Sequence, residues 1–238
     1  PPAGLSFGDF FVDPYVEAGA NRAGEFTGDN QVLSLFGRWS LPSAGFEAYA
    51  EWARDDHWGS IEDLVKEPDH SQVYALGFQK VFAGERRWVR AWGELTHLQA
   101  ALPFRGGRGA VTFYTNGSVR QGYTHEGQLM GAFIGPGSDA QALGVDLFKP
   151  WGRAGVYVER IRYDDNAYYS NFSRYYGQNG HDVEMNYAAR GLYFLGPLDA
   201  SVELTWSHRY NRNFIGLESG SFDSFFETSN LGARLGLV

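Results

Sequence analysis

The residues with the clearest potential for chemistry lie in Asn166-Ala-Tyr-Tyr-Ser-Asn-Phe-Ser-Arg-Tyr-Tyr176. Tyr168, Tyr169, Tyr175 and Tyr176 offer flat aromatic faces, with Asn171 and Arg174 as polar neighbours and Trp58 in an earlier long connection. A sugar stacks its C–H face on such a ring while its hydroxyls hydrogen-bond to nearby polar groups. The same residues equally suit loop–loop packing or an interfacial aromatic girdle, and the spacing leaves both readings open. Asp55-Asp56-His57 with Asp69-His70 has the types of a carboxylate–imidazole metal site, if one loop brings the two groups together. A loop lip held by hydrogen bonds is the favoured reading, and no metal is expected. His125 and Glu126 have the form of an acid–base pair. No serine sits in a nucleophile-elbow context, so a hydrolase triad has no support. An enzyme would have to rest on His125 and His208; the expectation is no catalytic residue and no cofactor. Gly135-Pro-Gly137 lacks the Lys-Ser/Thr and helix of a phosphate cradle, and reads as a tight bend close to other backbone.

These groups are positioned by strands. Leu198–Asn211 alternates Leu198, Ala200, Val202, Leu204, Trp206, His208 and Tyr210 with Asp199, Ser201, Glu203, Thr205, Ser207, Arg209 and Asn211. Successive side chains of a strand point to opposite faces, so one face is apolar with an aromatic end and the other polar. Its length suits a transmembrane barrel strand of ~9–11 residues better than a globular strand of ~5–6. Similar alternation runs over residues 31–40, 46–52, 72–82, 86–98, 141–148, 153–164, 183–193 and 230–237. Residues 1–30 are poorly placed; 9–18 form a strand only if Pro14 sits at an edge or bulge. Ser60-Ile-Glu-Asp63 predicts a short helix that Pro68 ends. Residues 99–140 read as a loop or lumen segment. The polar faces carry Glu47, Glu51, Arg90, Glu94, Glu184, Arg190, Glu203, Arg209 and Arg234. These are expected to neutralise one another across strands. Wide rings of one sign, the mark of a selective pore, are not evident.

Composition agrees with an all-β chain. Among 238 residues there are 31 glycines, 16% aromatics and only 20% charged residues. Without cysteine, disulfides and thiolate chemistry are excluded. A net charge of −8, spread along the chain, disfavours nucleic acid as a partner. Mean hydropathy of −0.36 does not argue against a membrane barrel, whose strands are only half apolar. The start at Pro1-Pro2-Ala3 reads as a fragment of a longer chain. Connections near residues 43, 84, 150 and 196 are short; those near 63, 172 and 219 are long. Outer-membrane barrels sort periplasmic turns from extracellular loops in this way, which sends the last strand toward the periplasm. The same parity requires zero or two strands between Leu98 and Gln141.

Several segments resemble the Wzi-type capsule-assembly family of outer-membrane barrels. They are Tyr49-Ala-Glu-Trp-Ala-Arg-Asp-Asp-His57, Glu67-Pro-Asp-His-Ser71, Arg120-Gln-Gly-Tyr-Thr-His125, Gly135-Pro-Gly-Ser-Asp-Ala-Gln141 and Pro150-Trp-Gly-Arg153, in family order over about residues 30–195. The resemblance covers only the C-terminal part of the longer family members. It implies an 18-stranded barrel with lectin-like binding of capsular polysaccharide at the surface of a Gram-negative cell. The expected fold is therefore an antiparallel transmembrane β-barrel, here a partial one of about 10–12 strands, in one domain with a short helix in an extracellular loop. The expected partners are capsular or exopolysaccharide and outer-membrane lipid. A porin or transporter is the alternative.

Overall fold

The structure, a computed structural model, describes residues 32–55, 65–66, 68–69, 71–101, 113–115, 121–172, 180–214 and 227–237. In chain order the strands are β1 (Val32–Leu41), β2 (Phe46–Asp55), β3 (Gln72–Ala83), β4 (Trp88–His97), β5 (Thr124–His125), β6 (Gln128–Leu129), β7 (Asp139–Lys149), β8 (Gly152–Tyr163), β9 (Asp182–Phe194), β10 (Asp199–Tyr210) and β11 (Thr228–Leu237). The chain is mostly antiparallel sheet, as the alternation predicts. Nine strands form one sheet in the order β1-β2-β3-β4-β7-β8-β9-β10-β11, and β5 and β6 pair separately as a small ribbon. β4 pairs directly with β7, and among the described residues between them none joins the main sheet. Residues 9–18 and the helix start at 60–63 lie outside the described residues.

Through the middle of the strands the register sorts the sheet into an apolar and a polar face. On one face Leu204 lies between Ala189 and Ala233, and Trp206 between Tyr187 and Leu231. The row continues through Val156, Val145, Ala91 and Lys80. This apolar face is bare. Leu204 is 50%, Trp206 48% and Leu235 80% exposed, and no second sheet or helix layer covers these rows among the described residues. Monomeric soluble proteins rarely leave an apolar patch of more than a few hundred Å² open.

The apolar face is also zoned along the strands. Trp39, Phe46, Phe82, Trp151 and Tyr193 cluster toward the short turns, with Trp151 and Tyr193 stacked at 6.2 Å. Trp52, Tyr74, Tyr187, Trp206 and Tyr210 lie toward the long connections, with Tyr187 and Trp206 stacked at 5.3 Å. Between them run small and aliphatic side chains such as Ala50, Leu143, Val145, Val156 and Val202. Six residues separate Tyr193 from Tyr187, which is about 20 Å of strand. Lys80, inside this zone, sends its ammonium to the carbonyl of Ala44 at the turn and lays its stem by Phe82.

The opposite face is polar and clamped by charge. Asp146, wholly buried, accepts from Arg90 (Nη2, 2.7 Å) and Arg190 (Nε, 3.0 Å). Arg190 lies over the rings of Trp92 and Tyr157 at 5.3 and 5.4 Å. Asp182 takes two bonds of 2.7 Å from Arg209. Tyr49 lies flat across Gly77 and Trp92 across Gly144; a Cβ at Gly77 would stand 2.0 Å from the tyrosine ring. Toward the long connections the same face carries the apolar core. There Ala53, Val73, Ala140 and Ile161 of the sheet pack with Leu98, Phe113 and Ile134 from the segment between β4 and β7.

Asp146→Asn leaves two guanidinium groups facing a neutral amide. It should lower stability by about 3–5 kcal/mol, the cost of removing one partner of a buried ion pair, read as a drop in the urea midpoint.

Candidate functional site

The tyrosine loop begins where β8 ends. The Asp164 side chain accepts from the Ala167 N–H at 3.1 Å, capping α1 (Asp165–Ala167), and a π-type turn, Tyr168–Phe172, follows. This geometry turns Tyr168 inward. Its ring is 0% exposed, 4.1 Å from His181 and 5.7 Å from Phe214, and its hydroxyl accepts from the Gly180 N–H at 3.2 Å. Burial holds its phenol above the usual range. The expectation that Tyr168 stacks on a ligand is therefore corrected: it anchors the loop, and both its faces are occupied by protein. Tyr169 is half-buried beside His181, and Asn171 is exposed. Trp58, Arg174, Tyr175 and Tyr176 lie outside the described residues.

A polar network fixes the base of this loop. Arg162 joins Asp165 (2.5 Å) and Asp139 (3.4 Å), and Arg160 joins Asp139 at 3.0 Å. Gln99 donates to Asp139 at 2.7 Å, and His181 meets Asp165 at 2.8 Å. The Gly135–Gly137 bend passes against this backbone, as expected: the Asp165 N–H donates to the Gly137 carbonyl at 2.8 Å. A Cβ on Gly137 would lie 2.6 Å from the Asp164 carboxylate. At the 55–71 connection, Arg54 donates to the Pro68 carbonyl and the Gln72 N–H to that of Asp69. Asp56, His57 and His70 lie outside the described residues. His125 and Glu126 form a turn of the β5–β6 ribbon, where Glu126 and Gly127 both have positive φ (49° and 78°). His208 is remote from them in the fold, on the apolar face of β10, against Ser229 and Glu227.

The expected charge network exists, but mostly with other partners. Glu47 on β2 pairs with Arg38 of the neighbouring β1. Arg90 and Arg190 share Asp146, and Arg209 takes Asp182, with Glu184 at 3.8 Å. Glu203 stands in register with Arg190 and Arg234, as cross-strand pairing predicts. Glu51 and Glu94, by contrast, have no cationic partner among the described residues. Glu51 accepts from the Ser34 hydroxyl at 2.6 Å, and Glu94 from the Tyr49 hydroxyl.

Those two carboxylates line a cavity of about 470 Å³ between the polar face of β1–β4 and residues Phe113, Tyr114, Tyr123 and Met130–Ala132. Tyr114 and Tyr123 stack at 5.9 Å with 13° between their planes and form its aromatic wall. Tyr114 is held in a left-handed conformation (φ 76°), which a bulky residue adopts only when its surroundings force it. Here the Ala132 N–H donates to its hydroxyl at 3.1 Å and its own carbonyl accepts from Tyr123 at 2.9 Å. Burial first, and the Glu51 charge after it, hold its phenol above the ordinary range. An aromatic pair, carboxylate acceptors and Ser34 and Thr96 hydroxyls in one concavity can stack and hydrogen-bond a polyol ring. Sequence reading missed Tyr114 and Tyr123, which sit in an irregular segment nine residues apart. The only signal for them was the Arg120–His125 motif. The chain matches no family model, no curated protein and no solved structure.

Asp164 supplies a pH test of the loop base. Burial raises its carboxyl pKa above the usual value, against the opposing Ala167 N–H. A carboxyl raised on folding favours the folded state at low pH, and that contribution is lost as pH rises from the unfolded value through the folded one. Asp164→Asn keeps the cap and suits the left-handed backbone (φ 38°), while removing the buried charge. The variant should unfold at a higher temperature than the native protein at pH 7 and show no advantage at pH 3.

Proposed function

We propose that this sheet is the wall of an outer-membrane β-barrel that binds capsular or exopolysaccharide and helps attach or assemble it at the cell surface. The observation that carries the reading is the bare apolar face, bordered by two aromatic belts and backed by a charged face. A transmembrane barrel has this arrangement, with an apolar band of ~25 Å between aromatic girdles and a polar interior. On this reading hydrocarbon covers Leu204, Trp206 and Leu235, the short turns face the periplasm, and the long connections face outward. The polar face is then the lumen, and the Tyr114–Tyr123 cavity opens in its outer half. The role is binding by stacking and hydrogen bonding, without catalysis. It agrees with the resemblance to the capsule-assembly barrels. Tyr168, being buried, drops out of the glycan contacts, and the cavity joins them.

A porin or transporter is the second reading, favoured by the exposed carboxylates of Glu51 and Glu94 on the polar face. Steady open-pore current in planar bilayers would support it against a charge-clamped lumen.

Leu204→Arg tests the membrane placement. In a lipid bilayer it should cost about 2–4 kcal/mol, measured by urea unfolding from phospholipid vesicles, whereas at a solvent-exposed site it would cost next to nothing. Tyr123→Ala tests the glycan reading. Loss of one stacking face worth about 0.5–1.5 kcal/mol should weaken binding of purified capsular polysaccharide up to roughly tenfold with unfolding unchanged. Native affinity in that variant would remove the cavity from the function.

A further inference from the structure

We propose that the cavity over Glu51 and Glu94 is a subsite for a sugar unit carrying a free, protonated amine, a hexosamine without its N-acetyl group. The inference rests on the glycan-binding reading and names the class of sugar that this site prefers.

The argument begins with a contrast along one face of one sheet. Toward the short turns Glu47 has the guanidinium of Arg38, and Asp146 has those of Arg90 and Arg190. Beside the cavity the pattern stops. Glu51 accepts from Ser34, Glu94 from Tyr49 and neighbouring Glu159 from Asn186, all neutral donors. Among the described residues the cavity lining contains two carboxylates and no Lys, Arg or His. A concavity lined by charge of one sign with low-dielectric walls focuses its field and concentrates counter-ions. Here Ala53, Val73, Leu98 and Phe113 supply such walls.

The register keeps the two carboxylates apart with room between them. Glu51 and Glu94 lie on β2 and β4, one row offset, and the residues of β3 between them are Ala75 and Gly77. Tyr49 fills the space over Gly77 and presents its hydroxyl to Glu94, so the free space lies over Ala75. An ammonium there meets carboxylate oxygens from two sides. Its sugar ring meets Tyr114 and Tyr123, whose π-faces also attract a cation. Two carboxylates with neutral donors fall short of the six to eight oxygens of a calcium cage, whereas they match the three donors of one ammonium. N-acetylation removes the charge and leaves the ring, which makes the acetylated sugar the natural control.

The experiment measures calorimetric binding of glucosamine oligosaccharides and of N-acetylglucosamine oligosaccharides of equal length to the whole protein in detergent micelles. At pH 6 and low salt the glucosamine oligomers should bind at least tenfold more tightly. The preference should shrink with added salt and disappear above pH about 9, where an amine of pKa near that of an α-amino group is neutral. In the Glu51→Gln/Glu94→Gln double variant the two oligomers should bind alike. The salt and pH arms use the native protein, so the test survives a double variant that does not fold. Equal affinities in the native protein, a preference that persists in the double variant, or calcium binding in place of either oligomer would overturn the assignment. If capsular polysaccharide still binds while the amine preference is absent, this inference alone falls. If neither oligomer nor capsular polysaccharide binds, the glycan reading falls with it.

Discussion

The polar face of this sheet must satisfy its own charges, and the rest of the structure follows from how it does so. Asp146 on β7 reaches Arg190 on β9 across the whole width of β8, and the crossing is possible because β8 has Gly155 at that row. A side chain there would stand 2.2 Å from the carboxylate. With Arg90 on the other side, one buried carboxylate ties together β4, β7 and β9. Such a clamp contributes little net stability against a well-packed apolar alternative. It does fix register, because sliding any strand by one residue would put an arginine among the valines.

The apolar face has the converse property. Its rows rest on the ladder beneath and on side-to-side contacts such as Tyr187 with Trp206 between β9 and β10, Tyr74 with His97 between β3 and β4, and Trp151 of the β7–β8 turn with Tyr193 on β9. The only apolar core among the described residues is small and sits on the charged face, where Phe113 and Ile134 fold inward. A soluble sandwich places these two characters the other way round.

The strands were legible in the sequence because a two-residue period leaves little choice. The run from Leu198 to Asn211 became β10 with its ends shifted by one residue, and of the zero or two strands that the connection lengths allowed between Leu98 and Gln141 the main sheet takes zero, with β4 against β7. The partners of the charges were less legible. Asp146 and Arg190 are 44 residues apart and not on adjacent strands, so no cross-strand rule pairs them. The site was least legible. Tyr168 and Tyr169 look equivalent in sequence, yet a capped turn at Asp164 sends one ring inward and leaves the other half open. Tyr114 and Tyr123 lie outside the strands, so no two-residue period marks where their rings face.

Among the described residues β1 and β11 are the two borders of the sheet, and both run from the end of the long connections toward the short turns. Their outer hydrogen-bonding groups therefore run in the same sense. A cylinder that stitched these two borders directly to each other would carry one parallel seam, with slanted bonds, in an otherwise antiparallel wall. A cylinder without such a seam needs an odd number of added staves, since only then does an up-running strand stand between two down-running ones.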